Sequence, residues 1–377
     1  MSDVIELLSS LVSIDSTNPD LVPGGAGEAQ IAAFIANWLE RAGLEVKLIG
    51  SEEGRPNVVG IARGSGGGKA LLLNGHMDTV AAGEMVEPHR PRIEDNRMYG
   101  RGAYDMKGGL AACMVAAAEA AKLPLRGDVI VTAVADEEYA SLGTAEVAKQ
   151  VRADGAIVAE FTELQMILAH KGFVWLEVET VGRAAHGSRP DLGVDAIAHM
   201  GRVLAEVEAW GEALRAGPAH PLLGSGSVHA SLIRGGREIS SYPERCTLSI
   251  ERRTLPGETA QSVEAEMAEL VRQLRDADPS FKAIVRRGLY RQPLETPEDA
   301  DIAQAVQRAA VKVLGQAAPI AGVAFWTDAA LLAAAGIPSL LFGPAGAGAH
   351  AAEEWVDLQS VEACAQVYLE AAREFCR

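Results

Sequence analysis

The sequence predicts an α/β fold, a mostly parallel sheet sandwiched by helices, into which an α+β unit of ferredoxin-like order is inserted. Three observations lead there. Short, almost unbroken apolar runs alternate with helical patterns at both ends of the chain, as strands buried on both faces require. Between residues 173 and 290 the order becomes strand, helix, strand, strand, helix, strand, a self-contained motif. The length, 377 residues, exceeds that of one typical domain. The expected division is therefore one domain built from residues 1–172 and 291–377 and a second, inserted one at 173–290.

Each element has its own signal. Residues 4–12 and 30–42 repeat apolar positions at helical spacing, and the second run ends at Gly43, a frequent residue just past a helix. Strand-like runs come next at 57–62, 70–74, 129–135 and 156–159, with an Ala-rich helix at 110–121 between two of them. In the insert, 173–181 alternates as a half-exposed strand and 194–210 is helical. Strands at 227–233 and 245–252, a helix at 258–274 and a strand at 282–288 complete it. From residue 296 the chain returns to helix, strand (339–342) and helix. The uncharged stretch 329–349 is broken by Gly336, Pro338, Gly343, Pro344 and Gly346, so it reads as helix, strand and loop and not as a membrane span.

Composition narrows the function classes. Hydrophobic residues make up 48% and charged residues 23%, a globular balance able to bury a large core. A net charge of −17 leaves no basic footprint, so neither nucleic acid nor anionic membrane is expected as a partner. The N-terminus carries no basic segment before an apolar run, and Cys113, Cys246, Cys364 and Cys376 lie far apart without CxxC spacing. A soluble cytoplasmic protein with buried free thiols is the expectation.

Candidate ligands share one placement. The strand-like runs at 70–74, 129–135, 156–159 and 339–342 lead respectively into His76 and Asp78, into Asp136-Glu137-Glu138, into Glu160, and through a Gly-rich loop into His350. In open α/β sheets the ligand crevice lies outside the carboxyl ends of the strands, so these groups collect at one edge. Asp105 lies in a loop leading into the Ala-rich helix. Any one of these residues alone is ordinarily a loop residue or helix cap, and Glu137-Glu138 alone is a solvated acidic turn. His76-x-Asp78 says more, because residues i and i+2 of an extended segment face the same way, placing the carboxylate to hold the second ring nitrogen. Two adjacent carboxylates at a strand end can also divide labour, one on a metal and one free as a base. His76, Asp105, Glu138, Glu160 and His350 offer nitrogen and oxygen donors without thiolate, which suits zinc, with cobalt or manganese in its place. Five ligands are too many for one tetrahedral ion and suit two bridged by a carboxylate. The other histidines carry no motif, except His186 in the Gly- and Pro-bounded loop 182–190 of the insert.

In these motifs the chain is similar to the co-catalytic zinc deacylases and exopeptidases. That family includes acetylornithine deacetylase, succinyl-diaminopimelate desuccinylase, aminoacylase and the glutamate carboxypeptidases. The resemblance rests on Gly75-His76-Met77-Asp78-Thr79-Val80, on the run 100–109 around Asp105, on Asp136-Glu137-Glu138 and on the segment from His350 through Glu354, and it covers nearly the whole chain. It implies that Asp105 bridges two metals, His76 and Glu160 holding one and Glu138 and His350 the other, with Glu137 as general base and Asp78 behind His76. It further implies a homodimer through the insert, with His186 reaching the partner's active site, and a substrate carboxylate held by Arg253, for which a structural ion pair is the alternative. Ser240 stands where many members carry asparagine. The expected function is hydrolysis of an N-acyl amino acid of acetylornithine type; a di- or tripeptide exopeptidase and a non-catalytic scaffold are the rivals. The backbone amides of 343–348 are expected to cradle the substrate carboxylate as a nest.

Overall fold

Four strands buried along their whole length, Leu71–His76, Val129–Val134, Gly155–Val158 and Ser339–Leu341, run parallel at the centre of the first sheet. Their apolar runs tolerate no water on either face, and helices cover both. The computed structural model describes residues 3–50, 52 and 54–377. The sheet continues through antiparallel strands, with Asn57–Ala62 beside Val129–Val134 and Glu45–Ile49 at the edge, while Met166–His170 lies beside Ser339–Leu341. Register aligns the strand ends. His76 is paired with Val134, Asn74 with Val158, and Leu341 with Val158, so the four parallel strands end along one edge.

The helix Gly108–Ala120 is buried almost all round, because its Ala-rich surface lets strands and the helix Leu358–Phe375 approach closely. At its start, a Cβ on Gly109 would stand 1.9 Å from the carbonyl oxygen of Ala159, so only glycine lets the helix meet that strand end. A small antiparallel sheet, Arg92–Glu94, Arg97–Tyr99, Trp355–Asp357 and Gly346–Ala347, lies in the same unit. No helix of the described residues is long and apolar enough to cross a membrane. The four cysteines are buried and unpaired.

The chain divides into two units. The first comprises residues 1–168, 296–321 and 327–377, and the second 169–295 and 322–326. Residues 322–326 thus join the insert, although their sequence carries no boundary signal. In the second unit four antiparallel strands take the order Ser227–Gly235, Arg245–Thr254, Gly172–Val181, Ala283–Arg291, the ferredoxin-like arrangement. Val174, Leu176, Val178, Leu248 and Ile250 form the inner face of this sheet. The helices Ala196–Ala216 and Ala260–Ala277 cover it with Met200, Val203, Val263 and Met267. The longer helix is capped by Asp195 and the other by a reciprocal Thr259–Ser262 box, which satisfies amides that would otherwise lack partners.

Candidate metal centre

The edge shared by the parallel strands gathers the predicted ligands. His76 ends its strand and is 1% exposed; Glu160 comes just after the strand Gly155–Val158 and is 3% exposed. Asp105 turns two oxygens in two directions, Oδ1 at 3.1 Å from His76 Nε2 and Oδ2 at 3.1 Å from His350 Nε2. His350 Nε2 is also 3.1 Å from Glu138 Oε2, and His76 Nε2 is 4.0 Å from Glu137 Oε2. Two clusters result, His76 with Glu137 and Glu160, and His76 with Asp105 and Glu138, the donor atoms of each lying within 4.8 Å of one another.

The electrostatics call for cations. Burial drives the Glu137 carboxyl well above the ordinary range, and nearby Glu160 adds to it. Burial likewise pushes Glu160 up to about 8. Asp105 is the exception: burial opposes its ionisation, yet hydrogen bonds from His350 and His76 hold it well below the usual carboxylate range. Those bonds to Asp105 and Glu138 raise His350 to about 10. Glu138 Oε1 is buried and has no hydrogen-bond partner. A buried acceptor without a donor, among carboxylates that repel one another, fits a divalent cation in chemistry as well as spacing.

Around the ligands lies a further layer of polar contacts. His76 Nδ1 meets the backbone carbonyl of Asp78 at 3.0 Å, while the Asp78 carboxylate stands 3.6 Å away. The i, i+2 spacing thus brings up the expected residue, but its backbone oxygen and not its carboxylate is the nearest partner. The carboxylate has other donors: Asn18 Nδ2 at 2.7 Å and the amides of Glu137 and Glu138 at 3.1 and 3.2 Å. Asn18 also donates to Asp136, which Arg55 contacts at 3.1 Å. Asn18 carries no motif, and only its place beside Thr79 in the fold reveals it. Asp328 is a further buried carboxylate, raised to about 6 by burial, for which the sequence holds no signal. Part of the expected nest is already committed. The amides of Gly343, Ala345 and Gly346 already donate to Thr162, Ser360 and Glu163, so they are not free to hold a substrate.

His186 and Arg253 belong to the second unit. The His186 loop is pinned to the segment containing Ser240, whose carbonyl accepts from the Gly187 amide at 2.7 Å. His186 is exposed, and its Nδ1 lies 2.8 Å from Ser188 Oγ and 3.2 Å from the Ser188 amide nitrogen. Arg253 Nε donates to Glu251 at 2.7 Å, and its guanidinium lies 5.2 Å from the centre of the Phe173 ring. Of the other histidines, His199 packs against Phe281 and His89 lies 3.3 Å from Asp15.

Clustered imidazoles and carboxylates at the strand ends of this sheet could hold metal ions, and comparison with known proteins makes the chain a metal-dependent hydrolase. The chain belongs to peptidase family M20/M25/M40, whose pattern matches residues 72–374. It is 31% identical to an acetylornithine deacetylase of Myxococcus xanthus, over 100% of this chain and 99% of that protein. It is 28% identical to the N-formyl-4-amino-5-aminomethyl-2-methylpyrimidine deformylase of Bacillus subtilis, over 99% and 95% of the two chains. Among solved structures, aminopeptidase PepT of Bacillus cereus superposes with a TM-score of 0.80 at 18% identity, covering 99% of this chain and 98% of that one. The Bacillus subtilis YXEP protein, a dinuclear metal-binding peptidase of the M20 family, gives 0.76 at 16% identity, over 98% and 96%.

Proposed function

We propose that the chain hydrolyses the amide bond of an N-acyl amino acid with two divalent cations, zinc in the first place and cobalt or manganese as substitutes. The observation that carries this reading is Asp105, whose two oxygens face two different imidazoles, the disposition of a bridging carboxylate. In this assignment His76 and Glu160 complete one set of ligands, and Glu138 and His350 the other. Bound cations would polarise the scissile carbonyl and bring the pKa of water down to about 7. The remaining roles belong to the chain. Glu137, near His76 but outside both sets, accepts the proton of the attacking water and returns it to the leaving amine, which otherwise departs poorly. Asp78 fixes the turn that carries both glutamates. His186 donates to the developing oxyanion, and Arg253 holds the substrate carboxylate.

A small acyl group is favoured because the relatives at 31% and 28% identity are a deacetylase and a deformylase. We further propose a homodimer through the second unit, whose open sheet face exposes Trp175, Leu232 and Ile284, 44% or more of each. Four buried unpaired thiols support a cytoplasmic location. The test has two parts. Dialysis against a chelator should abolish hydrolysis, and zinc or cobalt should restore it with close to two ions per chain. A panel of acetyl-, formyl- and succinyl-amino acids should then be cleaved ahead of dipeptides. Full activity in demonstrably metal-free protein overturns the metal reading, and preference for dipeptides overturns the substrate.

A further inference from the structure

The Asp105 loop and the His350 turn come from distant parts of the chain, and one buried acid joins them. Glu354 is 1% exposed. Its Oε1 accepts from the amides of Tyr104 and Asp105 at 2.9 and 3.0 Å, and its Oε2 from the amide of Gly102 at 3.1 Å and from Arg101 Nη1 at 2.6 Å. Four donors fill the acceptor capacity of a carboxylate, so this charge is buried at no cost in unmet hydrogen bonds. Arg101, 2% exposed, extends the grip, because its Nη2 donates at 2.9 Å to the carbonyl of Ala351, the residue after His350. Beneath them Trp355 pairs with Tyr99, and the Gly100 amide donates to the Glu354 carbonyl at 3.2 Å. The turn needs such a hold. His350 sits at φ +62, a conformation unfavourable for a residue with a side chain. At Gly348 a Cβ would lie 1.9 Å from the Glu353 carbonyl oxygen.

We propose that Glu354, acting with Arg101, is a positioning residue that sets the spacing of Asp105 and His350 and thereby the affinity of the cation both would ligate. It touches neither cation nor substrate. It acts through the backbone on either side of the site, and the inference rests on the two-cation function proposed for that site. A merely structural buried pair would lower stability when broken without singling out one metal. A clasp between two ligand-bearing segments would weaken the shared metal first.

The experiment titrates the metal-free full-length chain with Zn2+ against a chromophoric chelator and records the visible absorption of the Co2+ form. Glu354→Gln turns an acceptor into a donor facing either amides or guanidinium. It should lower the affinity of one of the two ions about 10–100-fold, the usual effect of losing a partner behind a metal ligand, and shift the Co2+ spectrum. Arg101→Lys keeps the three amide bonds to Glu354 but releases the Ala351 carbonyl, so it should weaken the same ion by a smaller factor. Unaltered affinities and spectrum in folded Glu354→Gln overturn the clasp and leave the functional reading standing. Should that variant not fold, Arg101→Lys decides by the same criterion. A wild-type chain that takes up no divalent cation at all sinks the functional reading, and the clasp falls with it.

Discussion

Glu137 and Glu138 are neighbours in sequence with different surroundings. Glu138 Oε2 contacts His350 and its Oε1 is left without a partner, whereas Glu137 Oε2 stands 4.0 Å from His76. The proposed division of labour has separable consequences. Glu137→Gln should keep the metals and the fold and lose roughly 10²–10⁴ in turnover, the range for a positioned general base. Glu138→Gln should instead release metal, measured by equilibrium dialysis. The reverse result would exchange the two assignments, and the comparison is worth making because Glu137 also falls within reach of His76 and Glu160. Residue by residue, the site is legible where its chemistry lies in short contiguous motifs, as with His76, Asp105, Glu137, Glu138 and Glu160. It is not legible where the partner is remote. Asn18 reaches Asp78 across 60 positions and Asp136 across 118, and Glu354 reaches Asp105 across 249, separations that leave no local trace. The nest at 343–348 loses three of its amides for a related reason, since glycines advertise free amides without showing which side chains will claim them.

At the scale of elements, legibility tracks burial. The strand at 57–62 is predicted with both of its ends, and the runs at 70–74, 129–135 and 339–342 within two residues, because uninterrupted apolar sequence has few other uses. The edge strand Glu45–Ile49 and the hairpin Arg92–Glu94 and Arg97–Tyr99 give no such signal, being short and largely exposed, with charged residues at most outward positions. Helix Gly108–Ala120 is recognisable from alanine content, but its starting point is set by contact, and this can be checked. Gly109→Ala would force a Cβ to within 1.9 Å of the Ala159 carbonyl, with backbone on both sides unable to yield. It should cost about 1–3 kcal/mol, the range for overpacking, and disturb Glu160 next to that carbonyl. Gly201 in the helix Ala196–Ala216 is the control. Nothing lies within 4 Å of a Cβ there, so Gly201→Ala should stabilise by about 0.5–1 kcal/mol through helix propensity alone. Urea midpoints that moved in the same direction for both variants would show that contact at Gly109 does not set the start of its helix.

At the scale of the whole molecule, the chain keeps the metal-ligand candidates in one unit and His186 in the other, and the proposed dimer gives that separation a purpose. If His186 serves the partner's site, its replacement by Ala should cost about 10²–10³ in turnover, as for loss of one oxyanion donor, while the metals stay bound. Subunits carrying His186→Ala can then be mixed with subunits carrying Glu137→Gln, both nearly inactive alone. In a mixed dimer the His186→Ala subunit retains its own base and receives an intact imidazole from its neighbour, so one site is whole. The opposite site lacks both groups and stays silent. Exchange should therefore raise activity from background to about half the wild-type value per mixed dimer, as one intact site in an isologous pair requires. The imidazole is exposed, and Ser188 engages its Nδ1 through both hydroxyl and amide, so Nε2 is the nitrogen left for a donor role. Native mass spectrometry would establish that subunits had exchanged. Activity remaining at background in a verified mixture would place His186 either in its own chain's site or outside catalysis altogether.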